Sequence, residues 1–283
     1  MIASGMKLPK ISLGTWLMGG TKEPDPLNND QNDISVIHTA IENGITTIDT
    51  AQNYAAGRCE EIVGEAIKNY PRTAYQILTK QNREYLSYDN VIEGCHESMK
   101  RMGIDFIDYF VCHAPNPDFD TQDFFRASNK LFDDGFIKSV GISNFGPKNI
   151  EIAVKTSRLP ILFNQVHFSI DDDDIITTGT YASCVKHGIK IQAYRSLVSI
   201  DDNKNAQPIL KKLASKYSIS KYQVVLAYLN SYKDIVFTIR SSSKKHWDEI
   251  KEAMRLELEK KELDEIKKTH TGKEGNFRQF LLM

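Results

Sequence analysis

The chain has 283 residues, 41% hydrophobic and 26% charged, with a formal net charge of −1. That balance suits a chain that buries a large core, and near-neutrality argues against a polyanion such as nucleic acid as partner. No apolar run approaches the roughly 18 residues of a membrane helix, and residues 1–10 hold no apolar stretch of signal-peptide length. The four cysteines, Cys59, Cys95, Cys112 and Cys184, are scattered without a Cys-x-x-Cys pair. Such spacing fits reduced thiols in a cytoplasmic setting better than a disulfide framework.

Short β-branched runs alternate with longer amphipathic segments. In chain order, strands are predicted at residues 11–15, 46–48, 76–78, 107–111, 139–142, 161–164, 190–193 and 235–238. Helices are predicted between them at 33–43, 59–69, 89–101, 121–133, 147–157, 180–187 and 207–217. Strands alternating with helices imply a parallel sheet. Eight such units close naturally into an α/β barrel, the (β/α)8 or TIM architecture, which needs about 250 residues in one domain. Residues 1–283 are therefore expected to form a single domain, with an N-terminal extension before the first strand and an extra C-terminal helix and tail.

Helix boundaries carry their own signals. Gly44 and Gly188 suit a left-handed stop at a helix end, and Pro147 suits a first helical turn. Ser220 with Gln223 has capping-box spacing ahead of the apolar run 224–229. Residues 256–266 read as one more charged helix. The remainder, 269–283, either folds over the barrel mouth or frays. Two clusters invite a metal reading and do not earn it. Cys184 and His187 lie three apart with no further ligand pattern. The acidic run 171–174 lacks the glycine and distant glutamate of a calcium loop, so a solvated turn is expected.

The chemistry concentrates at predicted strand ends. Strand 46–48 is followed by Asp49 and then Tyr54, strand 76–78 by Lys80, and strand 107–111 by His113. In a parallel barrel these ends share one rim, where the βα loops build active sites.

In this order, the segment from Asp49-Thr50-Ala51 to Tyr54, the helix start at Glu60, Leu78-Thr79-Lys80, His113, Gly141-Ile142-Ser143-Asn144-Phe145, Asn164-Gln165-Val166 and Ala193-Tyr194 resemble the aldo-keto reductase superfamily. The resemblance runs from about Leu13 to Leu263. It implies carbonyl reduction by NADPH, with NADH left open, and no metal. Tyr54 would be the general acid, its phenol activated by Lys80, which Asp49 keeps charged; His113 would bind the carbonyl oxygen. Ser143, Asn144 and Gln165 match the clamp on the nicotinamide carboxamide, and Tyr194 the aromatic stacked on its ring. Arg195, Ser196 and Leu197 occupy the diphosphate loop, where relatives often read Ser-Pro-Leu. Arg240 and Ser241 match a Lys-Ser pair, with Ser242 beside it, and His246 falls where an arginine commonly holds the 2′-phosphate.

No Gly-x-Gly-x-x-Gly follows the first strand, so a Rossmann site is not indicated. Ala114 stands where relatives often carry a tryptophan, which opens one pocket wall. Trp16 and Phe168 are expected to form the remaining walls. A small-molecule carbonyl is the expected partner, and the chain is a monomer by default. The altered Arg195-Ser196 loop and His246 motivate an alternative, a cofactor-binding regulatory or sensor subunit of a larger complex with weak turnover.

Overall fold

The computed structural model describes residues 6, 8–198 and 200–269. Its strands are β1 (Ile11–Gly14), β2 (Thr47–Asp49), β3 (Gln76–Gln81), β4 (Tyr109–Cys112), β5 (Val140–Ser143), β6 (Ile161–His167), β7 (Lys190–Tyr194) and β8 (Ile235–Ile239). All pair in parallel in sequence order, and β8 returns to β1 to close the barrel. The helices are α1 (Asp30–Glu42), α2 (Arg58–Ile67), α3 (Tyr88–Met102), α4 (Thr121–Asp133), α5 (Pro147–Thr156), α6 (Asp174–Thr177), α7 (Thr180–Lys186), α8 (Gln207–Tyr217), α9 (Lys221–Asn230), α10 (Lys244–Ala253) and α11 (Lys260–Lys267). All eight expected strands form, and α11 is the extra C-terminal helix; the tail proposed to cover the mouth lies outside the described residues from 270 onward.

Successive side chains on a strand point to opposite faces, and here one face is the barrel interior. Leu8, Leu78, Tyr109, Val111, Phe163 and Val236 form an apolar cluster of their own, which fills the interior and leaves polar chemistry to the rim. The ring of Phe163 lies so close to Gly141 that a Cβ there would meet it at 2.5 Å; a larger residue at that position of β5 would push the ring aside. The other face packs into the larger core against the helices.

Two strands run past the predicted ends. β3 continues through Thr79, Lys80 and Gln81, and β6 through Gln165, Val166 and His167. The apolar run stops where side chains become functional, but ladder hydrogen bonding continues. Outward-facing Thr79 donates to Glu60 on α2 at 2.6 Å, and Arg101 of α3 donates to the same fully buried carboxylate at 2.7 Å. One acid thus ties the outer face of β3 to two helices.

The expected caps are present. Gly44 and Gly188 have φ of +77° and +69°, Pro147 opens α5, and the Ser220–Gln223 capping box opens α9. The acidic run is a correction. Asp172 and Asp174 are each 4% exposed. Asp172 Oδ2 lies 2.7 Å from His167 Nδ1, Asp171 accepts from Asn203, and Asp174 starts α6. Asp172 and Asp174 turn inward while Asp171 and Asp173 stay half-buried, and the His167 ring gives Asp172 a polar partner there. Cys184 and His187 part company: Cys184 faces Asn164, and His187 Nε2 pairs with Glu151 at 2.8 Å.

Candidate active site

A cavity of about 830 Å³ opens at the carboxyl ends of the strands, within the range of small-molecule sites. Asp49 is the last residue of β2, and a tight turn after it carries Tyr54. Lys80 is fully buried on β3, one strand over. Its Nζ donates to Asp49 Oδ1, to the Thr50 carbonyl at 2.8 Å and to the Tyr54 hydroxyl at 3.2 Å. Asp49 Oδ2 accepts from Gln165 and Thr238, each at 2.7 Å. All four side chains fall on the interior face of their strands, so alternation places them around one carboxylate. His113 follows β4, its ring 5.8 Å from that of Tyr54 between centroids, and Trp16 meets Tyr54 edge-on at 4.9 Å.

These neighbours set the protonation states. Burial is the largest single influence on Lys80 and opposes its charge, but Asp49 and Tyr54 together outweigh it, so the ammonium is held more firmly than in water. Burial lifts the Tyr54 pKa above its ordinary value, against the pull of Lys80. The pull of Lys80 expected on the phenol is thus outweighed by burial, and the Tyr54 hydroxyl stays protonated at ordinary pH. Burial first, then Lys80 and Arg83, push His113 down to about 3. The imidazole is neutral at ordinary pH, suited to hydrogen bonding rather than to acting as a cationic acid.

The opposite side of the rim is a bonded amide cluster. Asn144 sits in the left-handed region at φ +59°, which asparagine tolerates. Its Nδ2 donates to the His113 carbonyl and to Ser143 Oγ, and its Oδ1 accepts from the Tyr194 hydroxyl at 3.0 Å. Gln165 Nε2 spends both hydrogens on Asp49 and Gln192, so Oε1 is the atom with which it would meet a ligand. Ser143, Asn144, Gln165, Tyr194, Arg195, Ser196 and Leu197 all line the cavity, as do Trp16 and Ala114. Arg195 also has positive φ, +56°; for a side chain without asparagine's tolerance, such backbone strain is commonest at functional sites.

Other residues fall elsewhere. Arg240 lines the cavity but is held by Asp33 at 2.9 Å and by the Trp16 carbonyl at 3.1 Å. Ser241, Ser242 and His246 sit beyond the wall at the start of α10, where Ser242 and His246 are exposed. Phe168 is a correction: it is fully buried against Tyr232, ring centroids 5.2 Å apart, and does not line the cavity. Parity is the reason. Gln165 and His167 face inward, so Phe168 faces the helices with Val166.

The cavity also includes residues absent from the sequence reading, among them Asn53, Arg83, His167 and Thr238. His167 was readable, two positions after Gln165 on the same strand face; its ring stacks on Tyr194 at 5.7 Å and 16°. Arg83 lies in a loop with no periodicity to mark it.

Comparison with known proteins gives the same class. Residues 10–270 match the Aldo/keto reductase family model. Glyoxal reductase of Bacillus subtilis is 28% identical over 268 residues, covering 93% of this chain and 89% of that protein. Aldo-keto reductase YhdN of the same bacterium is 33% identical over 157 residues, about half of each chain (52% and 47%). A thermostable aldo-keto reductase solved with the inhibitor epalrestat superposes with a TM-score of 0.87 at 29% identity, over 94% of this chain and 97% of that one. The Bombyx mori enzyme solved with NADP gives 0.79 at 25% identity, over 95% and 91%. The chain belongs to the aldo/keto reductase family.

Proposed function

We propose that this protein reduces a small aldehyde or ketone to its alcohol at the expense of NADPH, with Tyr54 as the general acid. The reading rests on one observation: an unbroken line of contacts from Asp49 through Lys80 to the Tyr54 hydroxyl, with neutral His113 beside the same phenol. A nicotinamide, when bound, supplies the hydride. The residues here meet the charge that then grows on oxygen. Tyr54 gives its proton to that oxygen, and the resulting phenolate stays beside the Lys80 ammonium. His113 donates a hydrogen bond that holds the carbonyl in place.

The donor set fits a nicotinamide dinucleotide. Among the described residues, Asn53 Oδ1, His113 Nδ1, His167 Nε2 and Ser196 Oγ are buried without a partner, and all four residues line this cavity. Buried polar atoms rarely stay unpaired, so their concentration in one cavity supports a polar ligand. Ser143, Asn144, Gln165 and Tyr194 would hold the nicotinamide end, and Arg195, Ser196 and Leu197 the diphosphate. Ser241, Ser242 and His246 would meet the adenosine phosphate with the basic start of α10. Because Arg240 is engaged by Asp33, and His246 lacks an arginine's bidentate fork, the preference for NADPH over NADH is expected to be modest.

Purified protein should oxidise NADPH in the presence of glyoxal-type and aromatic aldehydes. Tyr54→Phe should lower kcat by roughly 100-fold or more while nucleotide affinity is kept; full activity in that variant would remove Tyr54 as the acid. Nucleotide binding with no turnover on any carbonyl, and a stoichiometric partner in pull-downs, would favour the sensor-subunit alternative instead.

A further inference from the structure

Resting on the reductase reading, we propose that Asn53 sets substrate choice. Its side-chain carbonyl accepts a hydrogen bond from a hydroxyl beside the reacting carbonyl, so 2-hydroxy ketones and aldehydes are preferred. Asn53 follows β2 and directly precedes Tyr54, and both line the cavity. An asparagine in a turn commonly bonds nearby backbone. This one stands at the start of the turn Tyr54–Gly57 and makes no side-chain capping bond. Its neighbour Gln52 is committed at both ends, donating to Gln81 at 2.9 Å and accepting from the Asn82 N–H at 2.9 Å. Asn53 Oδ1 is buried without a partner. A buried acceptor left so is costly, and a donor on the ligand relieves it.

The turn that carries Asn53 is strained. Ala55 and Ala56 have φ of +47° and +49°, and the Ala55 N–H is pinned to the Thr21 carbonyl at 2.9 Å. Residues other than glycine seldom take this conformation, and such strain gathers at functional sites. The nucleotide does not account for Asn53. Of the four unpaired cavity atoms, those of His167 and Ser196 come from the end of β6 and the loop after β7, beside the amide cluster. β2 and β6 are four strands apart in an eight-stranded ring, so Asn53 is across the mouth from that cluster. His113 Nδ1 belongs to the imidazole that holds the carbonyl. Asn53 Oδ1 therefore faces the substrate. It stands one residue from the phenol that protonates the carbonyl oxygen, which sets the donor on the neighbouring carbon. A carbonyl oxygen accepts and cannot donate, so a hydroxyl fits and an ether does not. Trp16 and Leu17, 45% and 48% exposed at the mouth, offer an apolar wall to the rest of the substrate. In the reaction, the carbonyl carbon takes the hydride and its oxygen takes the Tyr54 proton. The hydroxyl is unchanged, and the product is a vicinal diol.

The experiment compares 2-hydroxyacetophenone with 2-methoxyacetophenone and with 2-fluoroacetophenone. Both analogues keep an electron-withdrawing atom and remove the donor, one with a larger group and one with a smaller. Wild-type kcat/KM should favour the hydroxy ketone over the methoxy ketone about tenfold or more, which is about 1.4 kcal/mol. Asn53→Leu should erase that ratio by slowing the hydroxy ketone alone, and Asn53→Asp, which keeps the acceptor, should retain it. Differences in intrinsic reactivity cancel when the same ratio is compared between proteins. Calorimetric titration of the NADP-loaded protein with 2-hydroxyacetophenone is free of turnover, because the oxidised nucleotide has no hydride to give. Asn53→Leu should weaken that binding about tenfold and leave the methoxy ketone unaffected. A wild-type ratio near one for both analogues, or an equal loss for all three ketones in Asn53→Leu, overturns the proposal. If aldehydes are reduced but the hydroxy ketone binds wild type and Asn53→Leu alike, the Asn53 inference alone falls. Asn53-dependent binding of the hydroxy ketone without reduction of any carbonyl would uphold the hydroxyl site and overturn the reductase reading.

Discussion

At Tyr54, burial and charge pull in opposite directions, and burial is the larger effect. The phenol therefore stays protonated at ordinary pH, the state that the proposed role as general acid requires. The same balance goes the other way at Lys80, where Asp49 and Tyr54 together overcome the larger single effect of burial. At His113 burial, Lys80 and Arg83 all oppose the charge, and the imidazole is driven down to about 3. This has a pH signature. An unfolded histidine takes a proton near pH 6.5, and the folded one does not until about pH 3. The unfolded state therefore binds more protons in this window, and stability falls as pH drops from about 6.5 towards 3. His113→Asn should remove up to about 2 kcal/mol of the wild-type loss between pH 7 and pH 5, measured by denaturant titration at both pH values. The pH dependence of kcat should show no ionisation near 6.5; one that vanished in His113→Asn would mean the imidazole works as a cation. Asp49, Lys80 and His113 were legible because each ends an apolar run. Arg83 and Asn53 were not, since loop residues carry no periodic signal.

At the level of elements, the barrel is held to its outer layer by buried polar bonds as well as by apolar packing. Glu60 joins β3, α2 and α3 through Thr79 and Arg101. Removing one partner of such a buried pair strands the other. Glu60→Ala should cost about 3 kcal/mol, seen as a lower denaturant midpoint, and a loss near zero would show that Arg101 simply turns to solvent. Gly64 marks the same helix pair: a Cβ there would meet the Met102 Cα and carbonyl at 2.8 Å. The Asp172–His167 contact belongs to this scale too. Read along the chain, four successive aspartates look like a solvated turn. Buried Asp172 meets His167 and half-buried Asp171 meets Asn203, both on other segments. Nothing local to the run encodes those partners.

Across the whole molecule, closure of the ring is what turns scattered residues into one site: Asp49 and Thr238 are 189 positions apart and share a 2.7 Å hydrogen bond. Closure and the helical layer also bury all four cysteines. Burial pushes the Cys59 thiol up to about 11 and those of Cys95 and Cys184 to about 12, and raises Cys112 as well. Thiolate is the reactive form, so native protein should be inert to a thiol reagent such as dithionitrobenzoate, with four equivalents appearing only on denaturation. Rapid reaction of the native protein would reveal an opening of the outer layer.

The sequence alone determined the strand–helix alternation, the caps at Gly44, Pro147, Gly188 and Ser220, and the polar residues that close the apolar runs, because period, backbone conformation and polarity are local properties. Tertiary structure decided which way the side chains beyond those runs face, as with Phe168 and His167. It also decided which acids are buried, and whether Tyr54 and His113 hold protons. Those outcomes depend on the dielectric and charge supplied by residues distant in the chain, and only the closed barrel assembles them.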